Sequence, residues 1–233
     1  MYQFHDEKKE ITFQKSNPPT PWMNYLSNGE FTTMMSQAGG GVAFYKSPQI
    51  WRINHYRFFH LPTDRSGFYT YIKDGGSYWC PTAEPAKERP EKWQATHGMG
   101  YTVFDAEKNG VRAKATYFVG EYENCLIWNL RLSSDTDKKL TIFPYVELGM
   151  MEFQRELQWQ CYNKHQLSCY PLENEEILIY HYGVEDQPKP QETPLVFFAC
   201  DRKVKAYDCD RDSFVGSYRS EENPVGLEQE HLS

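Results

Sequence analysis

The sequence has no CxxC pair, no long apolar run, no basic stripe and almost no helical periodicity. Each absence removes a class of protein. The six cysteines (Cys80, Cys125, Cys161, Cys169, Cys200, Cys209) are irregularly spaced, and an untargeted chain of this size needs no disulfide framework, so free thiols are expected. Met1 to Glu10 is charged and lacks the apolar centre of a signal peptide, while the longest clear apolar stretch, Leu195 to Cys200, is far too short to span a bilayer. These features lead us to expect a soluble cytoplasmic protein. A net charge of -7, a pI near 5.5 and scattered basic residues disfavour nucleic acid and anionic membrane as partners. There is no internal repeat and no low-complexity tract.

What is present is aromatic side chains. Hydrophobic residues make up only 39% of the chain and mean hydropathy is -0.75, a balance that alone would hint at disorder. The aromatic share of 16% argues the opposite, because Phe, Tyr and Trp bury large areas and disordered chains are poor in them. At 233 residues, folding can bury roughly 70 to 75% of the unfolded surface, so a substantial core is within reach.

The apolar residues recur with period two. Leu126, Trp128, Leu130 and Leu132 alternate with Ile127, Asn129 and Arg131, as on a half-buried strand. Leu140, Ile142, Val146 and Leu148 share a face of the next segment, and the polar run Ser133 to Lys139 between them reads as a hairpin turn. Asp74 to Ser77 and Asn109–Gly110 are further turn signals, the second separating strands near Tyr101 to Phe104 and Val111 to Val119. The prolines of Glu185 to Thr193 mark a surface loop. The pattern predicts one all-β domain of sandwich type.

The order of certain motifs narrows the class. Pro21 to Leu26 (PWMNYL), Ala38–Gly39–Gly40 and His97 to Tyr101 (HGMGY) are followed by Asp208 to Gly216, with Phe44–Tyr45, Tyr56–Arg57, Asp64 to Gly67 and Trp79 with Pro81 between them. Together they resemble the N-terminal region of glycoside hydrolase family 94, the cellobiose phosphorylase group of inverting disaccharide phosphorylases. The resemblance implies a large antiparallel β-supersandwich (galactose mutarotase-like) over residues 1–233, stopping before its last strands. The catalytic (α/α)6 barrel of the family lies outside the chain. It also implies a homodimer and a disaccharide or oligosaccharide substrate. No cofactor is expected, inorganic phosphate being a co-substrate. The implied reaction converts a β-glucoside and phosphate into α-glucose 1-phosphate and a free sugar. The chain would serve as scaffold and contribute to the acceptor subsite, and would be inactive by itself. Two alternatives are a non-catalytic carbohydrate-binding module and a partial gene product with a purely structural role.

An inverting phosphorylase needs a carboxylic acid to protonate the glycosidic oxygen while phosphate attacks the anomeric carbon from the opposite face. The family acid is an Asp on the barrel, and no residue here matches it. Glu147, Glu152, Asp64 and the Asp208, Asp210, Asp212 cluster are read as solvated or locally bonded carboxylates. The aspartate cluster with Arg211 is expected to knit a turn, lacking the glycine and closing glutamate of a calcium loop. Gly39 to Gly41 is expected to form a bend between strands rather than a phosphate cradle, and His97 to be buried and hydrogen-bonded. Cys161, His165 and Cys169 could supply three zinc ligands only in a compact loop of non-standard spacing.

Met150 to Gln166 is the segment suited to substrate. It carries Arg155, Trp159, Tyr162, Asn163, Lys164 and His165, a mixture fit for stacking on sugar faces and bonding hydroxyls. Family members have an Asn, an aromatic, Gln and Arg in succession here, the Arg reaching the acceptor sugar. In this chain Cys161 to Lys164 makes Lys164 the stand-in, and Phe153–Gln154–Arg155 is a rival register. Lysine cannot reproduce a planar bidentate fork. A second departure from the cellobiose enzymes is His55 to His60, where only Tyr56 and Arg57 match the family pattern. Both loosen any assignment to cellobiose itself.

Overall fold

The computed structural model describes residues 2–55, 66–158, 165, 167–172, 177–182, 195–229 and 232. Among them run β1 (Tyr2–His5), β2 (Glu10–Phe13), β3 (Met23–Ser27), β4 (Phe31–Ser36), β5 (Gly41–Tyr45), β6 (Tyr69–Asp74) and β7 (Ser77–Trp79). There follow β8 (Lys92–Gly98), β9 (Tyr101–Lys108), β10 (Val111–Val119), β11 (Leu126–Ser134), β12 (Leu140–Tyr145) and a short helix α1 (Phe153–Gln158). The last elements are β13 (Leu167–Pro171), β14 (Ile177–Tyr182), β15 (Leu195–Ala199) and a second short helix, α2 (Arg211–Val215).

The strands form antiparallel sheets, as period-two alternation predicts. One is six-stranded, in the order β1-β2-β8-β9-β10-β11. Three-stranded sheets β3-β4-β5, β12-β6-β7 and β13-β14-β15 accompany it. The inner face of the large sheet is apolar because every second residue of β10 is small or aromatic, and Val111, Ala113, Ala115 and Tyr117 are all buried. Ala115 and Tyr117 pack with Phe13, Ala95 and Phe104 against Leu26, Phe31, Met35 and Ala43 of the β3-β4-β5 sheet. Val111 and Ala113 pack with Ala106 against Ile72 and Trp79 of the β12-β6-β7 sheet. The result is a sandwich. Strand β6 is covered on both sides, since Tyr69 and Tyr71 face away from Ile72 into a further cluster with Phe214, Val215 and Leu227.

Turn chemistry fixes the registers. Asn109 and Gly110 join β9 to β10 with φ of 51° and 73°, the pair of positive values that a two-residue hairpin matched to strand twist requires. Asp74 and Ser77 close the β6-β7 hairpin as expected. The Gly39 to Gly41 bend joins β4 to β5, and a Cβ on Gly41 would lie 1.9 Å from the Met34 carbonyl oxygen, so a side chain is excluded there.

The expected hairpin around Ser133 to Lys139 does not form. Strand β11 pairs with β10, whereas β12 pairs with β6 in another sheet. The alternation holds for Leu126, Trp128 and Leu130 but not for Leu132, which is exposed, and for Leu140 and Ile142 but not for Val146 and Leu148, which lie beyond the end of β12; Leu130, Leu140 and Ile142 meet in one apolar cluster. They meet across the core rather than side by side, because alternation specifies which face is buried and not which strand is the neighbour.

Candidate functional site

Helix α1 sits within the segment singled out for substrate contact. Its first turn is held by the Glu152 carboxylate, which accepts from the backbone N–H of Gln154 and Arg155 at 3.1 and 3.2 Å, where the helix dipole favours negative charge. The Phe153 N–H donates to the Gln49 carbonyl at 2.7 Å, and the Phe153 ring lies 5.1 Å from the Arg52 guanidinium. Glu156 then turns inward and is 1% exposed. Its carboxylate receives Arg52 Nη1 at 2.5 Å on one oxygen, while His55 Nδ1 lies 2.6 Å from the other. The His55 contact is an ion-pair distance off the line of a well-directed hydrogen bond.

The strip carrying Arg52 and His55 is itself fixed between neighbours. Phe44 bridges Arg52 on one side and Leu148 bridges Asn54 on the other. The Asn54 side chain accepts from the Ala43 N–H at 2.6 Å and donates to the Gly41 carbonyl at 3.0 Å. Gly149 and Met150 both donate to the Ile53 carbonyl, and the His55 N–H donates to the Glu147 carbonyl at 2.6 Å. The structure thus brings His55 and the segment from Met150 to one buried charged cluster.

Of the residues assigned to substrate, Arg155 is described and is exposed on α1 next to inward-facing Glu156. Trp159, Tyr162, Asn163 and Lys164 lie outside the described residues, as do Tyr56 to His60. Arg52 and Glu156 were not legible as site residues. They are 104 positions apart, and a glutamate between Arg155 and Leu157 carries no motif signal.

The other polar clusters resolve as support. Asp210 caps α2, accepting from the Asp212 N–H at 3.2 Å and the Ser213 hydroxyl at 3.1 Å. Arg211 Nε lies 3.2 Å from Glu147, and Nη2 bonds Glu221 at 2.8 Å. Burial opposes the charge of Arg211, but the Glu147 and Glu221 carboxylates outweigh it and raise its pKa. Glu147 therefore joins two clusters, its carbonyl holding His55 and its carboxylate holding Arg211. His97 is buried as expected. Its Nε2 donates to the Trp22 carbonyl at 3.0 Å, and its Nδ1 shares a hydrogen bond of 3.1 Å with the Thr102 hydroxyl. Burial lowers its pKa to about 4.

One cysteine expectation is corrected. Cys169 and Cys209 form a disulfide, tying β13 to the segment before α2, while Cys80, Cys125 and Cys200 are free. The two are 40 residues apart, and their proximity is a product of tertiary structure that spacing does not reveal. The bond also removes Cys169 from the zinc alternative. Cys161 lies outside the described residues.

Comparison with known proteins decides the family. The model for "Glycosyl hydrolase 94, supersandwich domain" matches residues 7–233. The chain belongs to that family. It is 32% identical over 240 residues to the N,N'-diacetylchitobiose phosphorylase of Vibrio proteolyticus, covering 99% of this chain and 29% of that protein. It is 29% identical to the enzyme of the same name from Vibrio furnissii, covering 96% of the chain and 28% of the relative. With the solabiose phosphorylase of Paenibacillus borealis it shares 25% identity over 95% of the chain and 29% of the relative. The chain spans under a third of the length of these curated relatives. The expected fold is the supersandwich, and the glycoside hydrolase 94 resemblance holds over nearly the whole chain.

Proposed function

We propose that this chain is the supersandwich of an inverting disaccharide phosphorylase, and that its Met150 to Gln166 segment contributes to the acceptor-sugar subsite of the full-length protein. The observation that carries the second part is the buried Arg52, His55 and Glu156 cluster, which holds the base of that segment against the sandwich. Arg155 is exposed there and available to a ligand. The chemistry would be direct attack by phosphate on the anomeric carbon, with a carboxylic acid of the barrel protonating the glycosidic oxygen. The buried carboxylates Glu156 and Glu221 are engaged by Arg52 and Arg211 and are not placed to act as that acid.

The substrate class is a β-linked disaccharide. The relatives named above take their names from diacetylchitobiose and solabiose rather than cellobiose, in keeping with the altered His55 to His60 and Lys164 positions. Inorganic phosphate as co-substrate, a homodimer and a cytoplasmic location complete the proposal. The test is incubation of the full-length protein with phosphate and a panel of disaccharides, cellobiose and N,N'-diacetylchitobiose among them. Release of a sugar 1-phosphate from at least one supports the reading, and release from none overturns it.

One observation favours the binding-module alternative. Phe4, Trp22 and Tyr25 are exposed around an open groove of about 550 Å³ that also presents Asp6 and Lys9, and the Tyr2 and Trp22 ring centroids are 4.9 Å apart. Rings beside hydrogen-bonding groups suit a pyranose. Titration of the isolated chain with oligosaccharide, followed by tryptophan fluorescence, discriminates the two readings: saturable binding abolished by Trp22→Ala favours the module.

A further inference from the structure

Among the described residues, the β13-β14-β15 sheet rests on the sandwich by one side only. Leu167 and Val196 pack with Met150 and Met151, and the Phe198 ring meets Trp128 edge-on at 5.4 Å. On the other face of β15, Leu195 and Phe197 are 61% and 59% exposed. After β15 the chain runs through residues 201–209 without strand or helix, and none of these residues is buried. Helix α2 is anchored quite differently. Phe214 and Val215 are buried beside Tyr71, while Arg211 bonds Glu221 at 2.8 Å and lies 3.2 Å from Glu147.

The bond between Cys169 and Cys209 joins these two regimes. One sulfur belongs to β13, and the other stands directly before Asp210, the cap of α2. A cross-link between positions 40 apart strongly restricts the opened chain, and its loss is felt most where other contacts are sparse. Access decides its chemistry. Cys209 is exposed and Cys169 half-buried, whereas the Cys80 thiol is completely buried and burial pushes its pKa up, so Cys80 is inert. Exposed disulfides are the ones that small thiols reach and open.

We propose that Cys169 and Cys209 form a thiol–disulfide switch that locks the β13-β14-β15 sheet to the root of α2 when oxidised and releases it when reduced. Opening takes two exchanges. The thiolate of a low-molecular-weight thiol attacks Cys209 Sγ, forms a mixed disulfide there and expels Cys169 as a thiolate, which takes up a proton. A second small thiol then displaces Cys209 in the same way. Two small thiols become one small disulfide, and the protein gains two electrons and two protons. Closure is the reverse, with a small disulfide as oxidant. A thiol-rich compartment keeps the sheet released, and an oxidising challenge locks it. Helix α2 keeps its own ties in both states, so the response is local. The switch is independent of the sugar chemistry proposed above.

The full-length protein, purified without reductant, is equilibrated with oxidised or with reduced glutathione, alkylated and digested for mass spectrometry. The peptides carrying Cys169 and Cys209 should be linked after oxidised glutathione, separately alkylated after reduced glutathione without denaturant, and linked again on return. Backbone hydrogen exchange in β13 and residues 201–208 should be at least about tenfold faster in the reduced protein, while β10 and α2 stay within about twofold. Cys169→Ser combined with Cys209→Ser should exchange at the reduced rate in both media, and Cys200→Ser should keep the full response. The wild-type comparison needs no variant and stands should the double variant fail to accumulate.

Pairing of either cysteine elsewhere, a bond that glutathione does not open in the native protein, or equal exchange in both states would overturn the switch. So would a matching rise in β10 or α2, because the bond would then clamp the whole fold and release no part of it.

Discussion

Acid should weaken this fold through His97 in a defined window. The His97 ring is buried between the Trp22 carbonyl and the Thr102 hydroxyl, and burial disfavours its charged form. Its folded pKa of about 4 lies below the ordinary value of 6.5. As pH falls, the unfolded chain therefore takes up the proton first and is favoured. The stability contributed by neutral burial is complete above about pH 6.5 and is lost as pH falls to about 4. The difference between those values corresponds to about 3 kcal/mol, or roughly 6 to 12 °C in thermal midpoint for a chain of this size. Thermal unfolding of the purified chain and of His97→Gln, which cannot titrate, should be followed from pH 7 to pH 4. Other groups titrate in both proteins, so the difference between their midpoints isolates His97. The wild-type advantage should shrink steadily below pH 6.5. A midpoint difference constant across that range would refute the reasoning, and so would ring-proton NMR showing protonation near the ordinary value.

Other outcomes follow from the proposed acceptor subsite and from the fold. Trp159→Ala and Lys164→Ala in the full-length protein should lower kcat/KM for disaccharide roughly tenfold to a hundredfold with little effect on phosphate, and an effect confined to Arg155→Ala would select the rival register. Trp79→Ala should cost about 3 to 5 kcal/mol in denaturant unfolding, because the ring is completely buried between β7 and the large sheet; a loss below about 1 kcal/mol would contradict that packing. Asp210→Ala should cost about 1 kcal/mol in denaturant unfolding through loss of the α2 cap, and a loss below about 0.3 kcal/mol would contradict that role.

Local structure was legible where a residue's own chemistry decides it. Asn109–Gly110 announces its hairpin because few other pairs adopt both positive φ values, and Leu126, Trp128 and Leu130 announce a strand face because their spacing matches the pleat. The Asp208, Asp210 and Asp212 cluster with Arg211 was legible as a knitted turn, and Asp210 proves to cap a short helix. Partnership was not legible. The step from β11 to β12 looks like a hairpin in sequence and is a crossing between sheets, since the same apolar face can be buried beside a neighbour or opposite it. The disulfide between Cys169 and Cys209 and the triad of Arg52, His55 and Glu156 join residues far apart in sequence, with no motif at either end. Family likeness located the segment that α1 belongs to; only the fold showed what holds it.

We propose that the full-length protein carries out an inverting phosphorolysis and that this chain alone does not. Proton NMR of a reaction mixture containing disaccharide and inorganic phosphate tests it directly, because the coupling at the anomeric proton reports the configuration of the product. An α-configured sugar 1-phosphate is expected from the full-length protein, formed only when phosphate is present, and no product from residues 1–233. A β-configured product, phosphate-independent release of free sugar, or turnover by the isolated chain would contradict it.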